Sequence, residues 1–193
     1  MLLPWDRLNL LKTQVETLTI EYEWQGEKRR RIRPKECCDL ILDWLIECYL
    51  LGDEYVHESF SDPGFGSDMG KGTVDTDEMY ETIYRKVAGK NFDQRVREYA
   101  TTGDVESIMR VAETDGHRVF NNSEITTAKK LGAKEKTWNC MFINSRDTHI
   151  YLHGTTVPID AEFYTFKGNH AQYPGQFGVA EEDCNCNCWL TFN

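Results

Sequence analysis

The sequence predicts an α+β fold: a helical N-terminal part holding a β-hairpin, then a small antiparallel sheet with short helices at the C-terminal end. Three observations carry this prediction. An amphipathic stripe at helical spacing runs from Cys37 to Leu51, and capped helix starts follow one another from Asp75 to Gly132. After Lys136 the texture changes to short alternating segments punctuated by Gly, Pro and Asn.

With 193 residues, 40% hydrophobic and 12% aromatic, the chain can close one domain, or one domain with an appended lobe. A formal charge of −10 argues against a plain non-specific nucleic-acid binder. Residues 1–35 nevertheless carry eight Lys/Arg against five Asp/Glu. No apolar run approaches the ~20 residues of a membrane span, and the first residues lack the basic and apolar regions of a signal peptide. The expectation is therefore a protein made in the cytoplasm, away from membranes, whose seven cysteines are reduced thiols.

Residues 4–16 read as a helix through Leu8, Leu11 and Val15. Leu18, Ile20, Tyr22 and Trp24 then alternate with polar residues, as in a half-buried strand. Gln25-Gly26-Glu27 is the expected hairpin loop, with Lys28–Arg33 returning. A three-residue loop sets Ile20 opposite Ile32, and Glu21 and Glu23 opposite Arg31 and Arg29. The basic run has two readings, a charge-paired solvated face or a contact for an acidic partner or DNA. Arg29, Arg30, Arg31 and Arg33 are accordingly the candidate partner-binding residues, the second and fourth lacking an evident mate.

Pro34 suits a helix start, and Gly52 is the expected stop of the Cys37–Leu51 stripe. The chain then divides into an N-terminal lobe over 1–58, a Gly-rich linker over 59–74 and the remainder over 75–193. Gly70-Lys71-Gly72-Thr73 fails as a phosphate loop, since Phe65 stands where the first Gly is needed and Gly72 where Ser or Thr is. Asp75, Asn91 and Asp104 each read as a helix N-cap, the third helix being bent or broken at Gly116 and Asn121-Asn122-Ser123. Trp138–Ile143, Thr155–Ile159, Phe163–Phe166 and Cys184–Phe192 read as strands, and Asp147–His153 as helical turns closed by Gly154.

Chemistry concentrates between Trp138 and Cys188, which holds four of the seven cysteines and three of the five histidines. His149 and His153 have the i,i+4 spacing of metal ligands, but Ile150 stands where a metalloprotease needs Glu. On one strand Cys184, Cys186 and Cys188 would share a face and could take Zn²⁺, with His149, His170 or Cys140 as a further ligand. Buried thiols, a zinc site and a redox pair all stay open; with one cysteine cluster instead of two, no metal or cofactor is expected. A Cys186 nucleophile with His149 as base lacks any local activating motif. Glu181-Glu182-Asp183 reads as a solvated charge run, Arg146 as a clamp at a helix junction, and Tyr173-Pro174-Gly175 as a shape-setting turn.

Taken in order, Lys136, Trp138, Arg146, His149, Gly154, Phe163, Gly168, Tyr173, Pro174, Asn185, Cys186 and Cys188 resemble the signature of the Mu F-like head morphogenesis, or minor head, proteins of tailed bacteriophages. The resemblance covers about Ser107–Trp189. It departs from the family at Glu113-Thr114-Asp115 (R-T-E in the family), at Asn144 (Asp) and at Asn187 (Arg). It implies a low-copy virion component of the head interior and portal vertex, assembled in the host cytoplasm and aiding head morphogenesis or DNA delivery. Its implied partners are the portal protein, other capsid and scaffold proteins, and packaged DNA. It implies no enzymatic activity and no catalytic residues; Trp138, Arg146, His149, Gly154, Tyr173, Pro174, Cys186 and Cys188 would fix shape. Two competing classes remain: a toxin-like nuclease or transferase using His149 and the acidic groups, and a small zinc-stabilised structural module.

Overall fold

The computed structural model describes residues 5–60, 74–143 and 145–193. Helix α1 (Trp5–Thr17) buries Leu8, Leu11 and Val15, as their spacing requires. Strands β1 (Thr19–Trp24) and β2 (Glu27–Ile32) form the hairpin. Its connection is shorter than expected: Gln25 and Gly26 both take positive φ (54° and 79°), the two-residue turn whose twist matches the strands. The register therefore moves by one residue. Ile20 faces Arg31 instead of Ile32, and Glu21 and Glu23 face Arg30 and Lys28 instead of Arg31 and Arg29. Cross-strand charge pairing survives with changed partners.

Helix α2 (Pro34–Phe60) runs straight through Gly52, which is not a stop. A Cβ at Gly52 would lie 2.5 Å from the Phe120 carbonyl oxygen on helix α5 (Val105–Lys130). Gly116 of α5 is the reciprocal case, since a Cβ there would lie 2.7 Å from Trp44 Nε1 of α2. One glycine from each helix thus permits the close α2–α5 crossing, and Trp44 Nε1 donates to the Ala112 carbonyl across it (3.0 Å). Nor is α5 broken where expected. Asn121 donates its amide back to the His117 carbonyl (2.8 Å), so it bonds to its own helix without ending it.

Between these two helices lie α3 (Thr76–Ile83) and α4 (Phe92–Thr102). The caps behave as read: Asp75 accepts from the Asp77 and Glu78 amides, Asn91 and Gln94 form a reciprocal capping box, and Asp104 accepts from the Ser107 amide. Leu8, Val15, Ile32, Ile41, Leu45, Ile83, Val96 and Ile108 belong to one apolar core, so side chains drawn from residues 8–49 and from residues 79–120 share it. Ser59 and Phe60 belong to α2, whereas the segment 61–73, with the rejected phosphate-loop motif, lies outside the described residues, as does Asn144.

The C-terminal part is the expected small antiparallel sheet, so the chain is α+β. Strand β3 (Glu135–Asn139) is central, flanked by β4 (Thr156–Pro158) and β7 (Trp189–Phe192), with helix α6 (Asp147–Leu152) in the β3–β4 connection. A short pair, β5 (Phe163–Tyr164) and β6 (His170–Ala171), and one helical turn, α7 (Ala180–Asp183), complete it. Trp138, Leu152, Phe163, Tyr173 and Leu190 close a second core, which Ile125 joins from α5. The last strand starts at Trp189, not Cys184: α7 precedes it and Asn185 sits at φ 53°, breaking the extended run. The three-thiol face expected of a continuous strand does not exist.

Candidate functional site

Two chain reversals bring the special residues of the C-terminal part together. Arg146, at the start of α6, donates its guanidinium to the Cys184 carbonyl and so holds the segment after α7 across that helix. Asn185 then turns the chain, and Cys186 and Cys188, one residue apart, both return toward α6.

His149 projects inward from α6 and is 1% exposed. Its Nδ1 lies 3.5 Å from Cys186 Sγ and 3.4 Å from Cys188 Sγ. On the other side of the ring, Nε2 lies 3.2 Å from Glu182 Oε2, within ion-pair distance but without hydrogen-bond geometry. Glu182 is itself held by two donors, Thr148 Oγ1 (2.7 Å) and Asn169 Nδ2 (3.0 Å). Trp138 meets the imidazole edge-on at 5.5 Å and Phe177 stacks on it at 5.5 Å, so aromatic rings wall the group off from water.

The electrostatics follow from this packing. Burial works to raise the Glu182 carboxyl, but the hydrogen bonds from Thr148 and Asn169 and the charges of His149 and Arg146 outweigh it and hold it below the ordinary range. The Cys188 thiol stabilises a Cys186 thiolate, with His149 assisting against burial, and so draws Cys186 well down. The same contact pushes Cys188 up, because the two sulfurs cannot both ionise without a cation. His149, Cys186 and Cys188 form a group of donor atoms within 4.8 Å of one another, a set able to hold a soft metal ion.

Not every candidate joins them. Cys184 is half-buried and apart, its carbonyl serving Arg146. His153 diverges from His149 to the surface, where Nδ1 accepts from the Cys140 amide (3.1 Å). His170 is exposed and pairs with Glu162 at 3.0 Å. Tyr173 is buried, its hydroxyl accepting from Arg85 (3.1 Å) and Asn122 (2.9 Å). Pro174 is buried beside it, and Gly175, at φ 87°, lets the backbone close on Arg118, to whose Cα a Cβ would come within 3.1 Å. Gly154 takes φ 75° after α6, the left-handed position a glycine suits.

Sequence reasoning missed two acids. Glu182 and Asp183 are buried, contrary to the solvated-run reading, and only Glu181 of the three is exposed. One turn of α7 points both inward, Asp183 accepting from the Phe177 (3.0 Å) and Gly178 (2.7 Å) amides. A one-turn helix has no periodicity to detect. Arg118 and Asp115 of α5 were also missed: buried together, they bridge to Arg95 and to the Thr82 and Ile83 carbonyls.

The hairpin arginines separate by face. Tyr22, Trp24, Arg29 and Arg31 share the solvent face, with Arg31 over the Tyr22 ring at 5.7 Å and Arg29 paired to Glu27 at 3.0 Å. Arg30 lies on the other face against Gly103, which caps the C-terminal end of α4. Arg33 is exposed and without an ion-pair partner among the described residues. Elsewhere an open cleft of about 360 Å³ is lined by Arg85, Glu162, His170, Asn169, Gln176 and Phe177.

Neither a family model nor a solved structure matches the chain. Among curated proteins it is 29% identical over 152 residues to the NAD(+)–arginine ADP-ribosyltransferase EFV of Enterococcus faecalis, covering 72% of this chain and 31% of that protein. It is also 31% identical over 85 residues to the minor head protein GP7 of Bacillus phage SPP1, covering 42% of this chain and 28% of that one. The chain thus spans about a third of the length of these relatives. The second similarity agrees with the phage minor head direction of the resemblance. The first overturns the expectation of a protein without enzymatic activity, because a relative aligned with most of this chain is an enzyme. No helix among the described residues is long and apolar enough to cross a membrane.

Proposed function

We propose that this chain is a minor head component of a bacteriophage particle, of the Mu F-like kind. It is assembled in the host cytoplasm and carried in few copies at the portal vertex inside the head, where it aids head morphogenesis or DNA delivery. The observation that supports this reading is the similarity to the SPP1 minor head protein, taken with the closure of the signature into one unit. Trp138, Phe163, Tyr173, Cys186 and Cys188 share a core there.

The partner end is the solvent face of the hairpin. Tyr22 and Trp24 are exposed at 38% and 55%, and Arg29 and Arg31 stand beside them. Aromatic rings interleaved with guanidinium groups suit an acidic protein surface, and the same face can meet packaged DNA. The test is co-purification with the portal protein encoded beside it, comparing the chain with its Arg29→Glu/Arg31→Glu variant. Retention of the parent and loss of the variant are expected. Equal retention of both rejects the hairpin; retention of neither rejects the portal assignment.

A second reading rests on the similarity to the arginine ADP-ribosyltransferase, which covers most of this chain. The open cleft supplies a cation, Arg85, and a carboxylate, Glu162, in a volume within the range of small-molecule sites. Release of nicotinamide from NAD⁺ in the presence of an arginine acceptor, abolished in Glu162→Gln, favours it. Absence of release from the parent chain removes it.

A further inference from the structure

We propose that His149, Cys186 and Cys188 form a thiolate–imidazole site for a zinc-class divalent cation, which clamps the segment after α7 onto α6. The inference concerns the C-terminal unit itself and holds under either functional reading.

Distances carry the first part. A tetrahedral zinc with ordinary Zn–S and Zn–N bonds sets each sulfur roughly 3.5 Å from the ligating nitrogen. The two sulfurs here lie 3.5 and 3.4 Å from Nδ1. A Cys–His hydrogen bond accounts for one of these contacts at most, because Nδ1 has a single proton or a single lone pair. Both sulfurs crowd one nitrogen, as they would around a shared cation.

Ring orientation carries the second part. Nε2 faces Glu182, and Glu182 is fixed by Thr148 and Asn169. A metal-bound histidine characteristically turns its other nitrogen to a carboxylate, which sets the tautomer and raises ligand basicity. The arrangement here is that sequence of groups, cation position, imidazole, carboxylate, with the carboxylate already tethered.

Charge and access carry the third. Two thiolates balance the charge of a divalent ion, so the occupied pair of sulfurs and ion is neutral in the apolar core. Cys186, Cys188 and His149 are all buried, and Trp138 and Phe177 pack against the imidazole, which suits a structural ion more than a reacting one. Among the described residues these three are the donors whose ligand atoms lie within 4.8 Å of one another, so a water would serve as the fourth ligand of a tetrahedral ion.

The experiment is titration of the reduced, full chain with Co²⁺ as spectroscopic probe, followed by Zn²⁺. A saturable thiolate-to-cobalt charge-transfer band is expected, with d–d bands of four-coordinate intensity, both bleached by Zn²⁺. Cys184→Ser and His153→Ala should keep the signal, and Cys186→Ser/Cys188→Ser should lose it. Since the double variant is at risk of misfolding, Glu182→Gln gives a milder test, expected to weaken metal affinity by roughly 10–100-fold. Absence of the charge-transfer band in folded, reduced protein overturns the proposal. So does its persistence in the folded double variant, or unchanged affinity in Glu182→Gln.

Discussion

Lys136→Met should stabilise the protein at neutral pH. Lys136 occupies an inward position of the central strand β3, between Val157 and Phe192, and is fully buried. Its Nζ has no hydrogen-bond partner and lies 5.5 Å over the Phe163 ring. Burial pulls the ammonium down from 10.5 to about 8, aided by the Lys129 charge and opposed by Asp160 and Glu162. The sign follows from proton linkage. Between about 8 and 10.5 the unfolded chain binds the proton and the folded one releases it, so this group's contribution to stability rises with pH across that window. Below pH 8 both states are charged and the folded state bears the whole penalty, about 3 kcal/mol. Methionine fills the same slot without charge and loses a cation–π contact worth about 0.5–1 kcal/mol. The net gain at pH 7 is therefore about 2 kcal/mol, shrinking toward zero as pH approaches 10.5. Urea unfolding of both proteins at several pH values reads it, and the raised buried cysteines and tyrosines cancel in the difference. A variant less stable than the parent at neutral pH, or a difference flat across the window, refutes the reasoning.

Gly116→Ala should destabilise by about 1–3 kcal/mol through overpacking against Trp44 and Cys48. Helix propensity alone predicts a gain of about 1 kcal/mol, so the sign of the change in urea midpoint decides whether the crossing is as close as described. Glu182→Gln should flatten the acid limb of the stability curve. The Glu182 carboxyl is held below 4.5, so its contribution is present above pH 4.5 and is lost as pH falls through the folded value. Burial raises the Asp183 carboxyl and gives the opposite sign, so the comparison is made between parent and variant, by near-UV circular dichroism from neutral to acid. An unchanged acid limb counts against the Glu182 tether.

Much of the fold was legible because it is local. Caps at Asp75, Asn91 and Asp104 act within three residues of themselves, and the stripe from Cys37 onward repeats every turn, so both are readable without knowing what packs against them. Gly52 and Gly116 were misread for the same reason. A helix stop, a break and a close helix crossing look alike in sequence, and only the partner helix separates them. The hairpin register turned on one residue of loop length.

The sequence alone named the chemistry of the C-terminal part: the residues His149, Cys186, Cys188 and Arg146, and their order. Tertiary structure decided which of them meet. Cys184 fell away and Glu182 came in because α7 and the turn at Asn185 reverse the chain, and spacing along a chain does not report where a reversal points its side chains.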